Sequence, residues 1–355
     1  MTLRRKNRLF SKEKMVIFKK GMAEKLKKVV IIHQGALGDL INTLPGIQAL
    51  RSACDELIAI GNSYFRLLEH CQLVNRFFHP EAVGFYRLFL KEFQPEDSLQ
   101  KIFADAELAL SWLGRSSENY QKNLSKLANR ITIFKGSFPP PPGSEHITKI
   151  LAQPIIQSGI EITDFIPRMS LPDEKSRDFC AKFGRFFALH PGSGSAKKNL
   201  PVDIFAELLS ALSELYPDRK LILLLGHAEQ VPGFELLKKI PKPVLTQAQI
   251  INNLDLISLA YLLKSAELYL GMDSGVTHLA SALGAKTLTI FGPTDPKLWA
   301  PPQKWARALA SDYPCAPCSD EKRRNCQELF CWKQINKDKI LKKLKSLLET
   351  KEPSS

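Results

Sequence analysis

Three short turns hold the residues best suited to chemistry in this chain. In the first, His33-Gln34-Gly35-Ala36-Leu37-Gly38-Asp39, the carboxylate closes the turn. One reading makes Asp39 an acid at a helix start, worth about 0.5–2 kcal/mol to that helix. The other makes it a general base at the mouth of a cleft. The Gly-x-x-Gly spacing lacks the three-glycine order that brings backbone against a dinucleotide pyrophosphate.

The second turn runs from Pro191 to Pro201 and contains Ser193, Ser195, Lys197 and Lys198. Small residues allow a phosphate to approach, hydroxyls and backbone N–H groups can bind its oxygens, and lysines supply countercharge. The Walker order is absent, and a plain Gly/Ser linker is the alternative. The third, Gly271 to Ala280, carries Asp273 and Ser274 as caps, then Gly275 and, four residues after Ser274, His278. A capped helix start offers free N–H groups to an anion. Glu229, shortly after the run Leu221 to Leu225, is placed to accept hydrogen bonds from ribose hydroxyls.

Each turn needs a strand before it and a helix after it. Val29 to Ile32 is a continuous β-branched run, as in a strand covered on both faces. Leu40, Ile41, Leu44, Ile47 and Leu50 then take helical spacing. Similar strands are expected at 57–60, 108–112 and 131–134, and in the second half at 186–190, 220–225, 267–270 and 287–291. Two parallel βαβ sheets follow, and ligands in such folds sit at the carboxyl ends of strands. Four consecutive prolines within 138–143 mark a stiff break. A helix is expected at 145–158, and 161–175 reads as the connection between halves.

With 355 residues and 44% hydrophobic composition the chain suits two domains. Of its +14 formal charge, +9 falls in residues 1–28, which hold eleven Lys/Arg and two Glu. The body lacks the spread basic face and stacking stripe of a nucleic-acid module, so no nucleic-acid partner is expected. No apolar run of about 18 residues suggests a membrane span, and no signal-peptide pattern appears, so the expected station is cytoplasmic. Met15, Phe18, Met22 and Leu26 with surrounding lysines read either as a helix on an anionic membrane surface or as a solvated extension. Cys315, Cys318, Cys326 and Cys331 suit a structural zinc site, reduced thiols or a disulfide pair.

Together, Val29 to Arg51, His190 to Pro201, Leu270 to Pro296 with Phe291-Gly292-Pro293-Thr294-Asp295, and Cys315-Ala316-Pro317-Cys318 resemble glycosyltransferase family 9, the ADP-heptose:lipopolysaccharide heptosyltransferases. The resemblance runs from about Lys28 to Ile335 and implies a GT-B fold: two Rossmann-like α/β domains whose parallel sheets face a central cleft. It divides the chain into a basic extension (1–28), an acceptor-binding domain (29–172), a nucleotide-sugar donor domain (173–332) and a C-terminal helix and tail (333–355). It implies an inverting transfer of heptose from ADP-heptose to an inner-core sugar of lipid A-linked oligosaccharide, with no cofactor or required metal, and a peripheral place on the cytoplasmic face of the inner membrane. Asp39 matches the proposed base. Ser193, Ser195 and a lysine, with Lys198 better aligned than Lys197, match the donor-phosphate loop. Glu229 matches the ribose contact, Asp273 the donor-sugar contact, and Ser274, Gly275 and His278 the pyrophosphate-binding helix start. Departures are His33-Gln34 in place of an Arg-containing sequence and Leu200 in place of a frequent Trp. Alternatives are another nucleotide-sugar donor or a non-catalytic nucleotide-sugar-binding protein.

Overall fold

The computed structural model describes residues 24–141, 143–172, 183–226 and 230–350. Buried β-branched and leucine runs pair into two sheets, each all parallel. The first lobe orders its strands β3-β2-β1-β4-β5: Arg76–Phe78, Cys54–Gly61, Leu26–His33, Leu108–Ser111 and Arg130–Ile133. Val30 of β1 stands between Ile58 of β2 and Ala109 of β4. The second lobe orders β11-β10-β9-β6-β7-β8: Ala306–Ala310, Lys286–Phe291, Leu268–Met272, Phe186–His190, Lys220–Leu225 and Ala248–Asn252.

In each sheet the winding direction reverses beside the first strand, between β1 and β4 and between β6 and β9. The crevice at such a reversal, outside the carboxyl ends of the strands, is where this architecture holds ligands. All three candidate turns leave these strands: Asp39 after β1, Ser193 to Lys198 after β6, and Asp273 to His278 after β9.

Several expectations are corrected. β1 begins at Leu26, not Val29, because Leu26 and Lys28 pair with Cys54 and Glu56 of β2. Lys28 also ion-pairs with Glu56 at 3.6 Å, so Leu26 to Lys28 belong to the sheet and not to a surface helix. Residues 1–23, with the rest of that amphipathic pattern, lie outside the described residues. The helix expected at 145–158 is two short ones, Ile147–Leu151 and Gln153–Gln157. Pro154, which lacks an N–H and clashes with the preceding turn, accounts for the division.

The lobes are joined by apolar packing as well as by chain. Val29, Ile31, Leu37 and Leu40 belong to one continuous core with Tyr261, Leu279 and Ala280 of the second lobe. The helix Leu37–Ala53 lies against the helix Gly275–Ala282. A Cβ on Gly275 would come within 2.8 Å of the Gly38 nitrogen and 2.9 Å of Leu37 Cβ, so glycine permits that approach. Across the same seam Met169 N–H donates to the Ala282 carbonyl at 2.8 Å, and His146 Nε2 lies 2.8 Å from the Ala300 carbonyl. The helix Lys337–Glu349 buries Ile340, Leu344 and Leu347 against the second lobe.

Candidate active site

A cleft of about 650 Å³ opens where the two helix starts meet. Asp39 lines it from the first lobe; Gly194, Lys198, Asp273, Ser274, Gly275 and His278 line it from the second. Asp39 is the third residue of its helix, and its carboxylate Oδ2 accepts the Ala36 N–H at 3.0 Å. Burial pushes its pKa up to about 6, against the Ala36 hydrogen bond and the Lys198 charge, which pull it down; the Asp273 charge adds to the rise. A carboxylate tuned to that range is a suitable general base. The Ala36 bond that suits Asp39 to a helix start also orients its carboxylate, and the residue lines the cleft.

Opposite it, Lys198 Nζ donates to the Asp273 carbonyl at 2.9 Å and its Oδ2 at 3.1 Å. Both side chains are largely buried, so the pair is poorly screened. His278 Nε2 lies 3.9 Å from Asp273 Oδ1, and burial lowers the imidazole pKa to about 4, so it is neutral near pH 7. Ser274 caps its helix, accepting the Thr277 N–H at 3.4 Å. The helix start beyond it faces the cleft with its positive dipole end.

The remaining candidates separate. Ser193 Oγ is buried, 2.8 Å from the Ser195 carbonyl and 2.6 Å from Asn199 Oδ1, so it folds the loop that presents Gly194 and Lys198. Neither Ser193 nor Ser195 lines the cleft. Lys197 turns away, donating to the carbonyls of Arg324 and, at 2.8 Å, Cys326. It ties down the C-terminal segment instead of facing a ligand. Glu229 lies outside the described residues.

The four late cysteines come together as free thiols. Burial first, then Cys318, Cys315 and Cys326, push the Cys331 thiol up to about 11. Among the described residues no group of three or more His, Cys, Asp or Glu side chains is arranged to hold a metal ion, and no disulfide joins these cysteines. The segment still matters to the cleft, since Pro317, Cys318, Asp320, Arg323 and Arg324 line it. Cys318 N–H is fixed to the Pro293 carbonyl at 2.7 Å.

Sequence reasoning gave no role to two further parts of the wall. Phe138 to Pro141, read only as a break, lines the cleft, with Phe138 set edge-on to Trp299 at 6.2 Å. Thr294 and Asp295, quoted only as part of a motif, line it too; buried Thr294 Oγ1 has no protein partner. A second cavity of about 210 Å³ adjoins on the first lobe, sharing Asp39 and Phe138, with His33, Trp112 and Phe134 in its wall. No periodic pattern marks these residues, because the fold gathers them from the end of β1 and from separate loops.

A family model described as glycosyltransferase family 9 (heptosyltransferase) matches residues 141–349, more than half of the chain. Lipopolysaccharide heptosyltransferase 1 of Pseudomonas aeruginosa is 30% identical over 117 residues, covering 29% of this chain and 33% of that protein. The chain thus aligns with only a third of that curated relative's length. A glycosyltransferase family 9 structure from Veillonella parvula superposes with TM-score 0.70 at 15% identity, covering 93% of this chain and 99% of that one. The E. coli ADP-heptose lipopolysaccharide heptosyltransferase II structure gives 0.68 at 15%, covering 90% and 98%. The architecture is therefore GT-B, and with the family model spanning the donor-side turns and cysteines, the chain belongs to glycosyltransferase family 9.

Proposed function

We propose that this protein is an inverting glycosyltransferase that moves heptose from ADP-heptose to a sugar hydroxyl of the lipopolysaccharide inner core. The observation that carries the reading is one cleft lined by a tuned carboxylate from the first lobe and a lysine from the second. Family membership and the activity named for the E. coli structure of the same fold support heptose and ADP.

In this mechanism the donor diphosphate lies against Lys198 and the start of the Gly275–Ala282 helix, while the acceptor hydroxyl lies against Asp39. Asp39 takes the hydroxyl proton as the oxygen attacks the anomeric carbon from the face opposite the diphosphate. The bond from that carbon to the diphosphate oxygen breaks, and the negative charge that collects on ADP is stabilised by the Lys198 ammonium and the helix N–H groups. Lys198 is already aligned by Asp273. His278, neutral near pH 7, can donate its N–H to a donor oxygen.

Replacing Asp39 by Ala should lower transfer by about 10²–10⁴-fold, the usual contribution of a general base, while ADP affinity stays within a few fold. Retained transfer in that variant, followed by release of ADP from ADP-heptose plus acceptor, overturns the assignment. No helix among the described residues is long and apolar enough to cross a membrane. The basic residues 1–23 support a station on the anionic inner-membrane surface, where a lipid-anchored acceptor is displayed.

A further inference from the structure

The loop after β3 carries a run of large apolar residues, Phe85-Tyr86-Arg87-Leu88-Phe89-Leu90. It folds as a 3₁₀ turn, Phe85–Phe89, in which side chains three apart eclipse. Phe85 and Leu88 accordingly enter the first-lobe core, while Tyr86 and Phe89 stand outside it. Tyr86 is 60%, Phe89 42% and Leu90 45% exposed, and these are three of the six large apolar side chains exposed among the described residues. So close a grouping marks an interaction surface.

The surface is held from behind. Buried Asn123 donates from Nδ2 to the carbonyls of Leu88 at 3.1 Å and Leu90 at 2.8 Å, and Asn119 Nδ2 donates to the Phe89 carbonyl at 3.3 Å. Its position also ties it to the cleft. The strands of this sheet are parallel, so the turn after β3, the helix Glu118–Leu124 after β4 and Asp39 after β1 all leave the same edge. From that helix Gln121 Nε2 donates to the Arg115 carbonyl at 2.9 Å, and the Arg115 guanidinium donates to the Gly136 carbonyl. Phe138, two residues on, lines the cleft.

We propose that Tyr86, Phe89 and Leu90 are a membrane contact on the folded body, entering the interface of an anionic phospholipid bilayer. The proposal rests on the reading of a lipid-anchored acceptor given above and adds the surface that brings the cleft to it. Aromatic rings with a polar tip suit the headgroup level of a bilayer. Arg87 lies over the Tyr86 ring at 5.7 Å and pairs with Glu96 at 2.9 Å, so it takes no unpaired charge to the lipid boundary. Exposed Lys91, Lys122 and Lys126 border the patch against Glu92 and Glu118. Lysine stems lie along apolar surface while their ammonium groups reach lipid phosphates, and Lys126 Nζ already stands over the Phe93 ring at 5.7 Å. Residues 1–23, at net +7, supply the long-range attraction that this nearly neutral patch lacks.

The test uses the full-length protein and vesicles of phosphatidylethanolamine and phosphatidylglycerol, without donor or acceptor. The double variant Tyr86→Ser, Leu90→Ser leaves every charge in place, so a purely electrostatic attachment would not notice it. Its vesicle affinity should fall about tenfold, as loss of two partly buried apolar side chains implies, with an unchanged thermal melt. Phe89 is left intact because its ring packs on Tyr120 at 4.8 Å. Tyr86→Trp should add emission that lipid brominated on its acyl chains quenches beyond the wild-type level. Absent vesicle binding by the wild type, unchanged affinity in the double variant, or no added quenching in Tyr86→Trp overturns the proposal. Self-association of the wild type that the double variant loses, with vesicle binding unchanged, assigns the patch to a second copy of the chain and overturns it equally. Transfer to a water-soluble, deacylated acceptor should keep its wild-type rate in the double variant. Failure of the transferase reading would appear as no ADP release by the wild type with any acceptor, whereas failure of this inference would appear in the vesicle measurements alone.

Discussion

Asp39 joins the two lobes chemically, and its protonation should set the pH dependence of turnover. Its folded pKa of about 6 lies above the ordinary carboxylate value because burial disfavours the charged form. The active form is the ionised one, so kcat/KM should rise with pH through about 6, level off above 7, and fall about tenfold per unit below 5. His33 and His278, both lowered to about 4, add no inflection between 5 and 8. A profile flat from pH 5 to 8, with chemistry rate-limiting, would show that Asp39 is not the base. The same carboxylate was identifiable in the sequence because a short turn after a buried strand places it at a helix start. Its partners were less so: Lys197 and Lys198 are adjacent and alike in type, and only the turn Ala196–Lys198 sends one to the cleft and the other to the Arg324 and Cys326 carbonyls.

At the scale of elements, the two helix starts are set by a glycine pair. A methyl at Gly275 would meet the Gly38 backbone nitrogen at 2.8 Å, whereas one at Gly38 would meet only His278 Cδ2 at 3.3 Å and Gly275 Cα at 3.4 Å. Gly275→Ala should therefore cost about 1–3 kcal/mol, as overpacking does, and impair transfer. Gly38→Ala should do distinctly less in both thermal melts and initial rates; the reverse order would refute this account of the seam. Central strands were legible because they are continuous apolar runs covered on both faces, such as Phe186–His190. The peripheral strands Arg76–Phe78, Ala248–Asn252 and Ala306–Ala310 were not found, since each mixes polar or small residues and only its neighbour in the sheet defines it. The second cavity escaped for a related reason: His33 ends β1 while Trp112 and Phe138 lie in separate loops, and nothing in their spacing joins them.

For the whole molecule, the uneven charge distribution carries its own prediction. Residues 1–23 hold eight Lys/Arg and one Glu, a net +7. A basic residue close to an anionic surface contributes about 1 kcal/mol, so full-length protein should sediment with anionic vesicles and be released by salt. A chain shortened to begin at Lys25 should sediment far less; equal sedimentation would remove the tail from any membrane role. The shared core has a different consequence. Because Leu37 and Leu40 rest on the same apolar mass as Leu279 and Ala280, neither half has a finished surface of its own on that side. Separating them would expose oil to water on both, which makes the pair a single inheritance: a donor half borrowed from a relative would arrive with the wrong flank, and its specificity could be transplanted only with the seam that closes it.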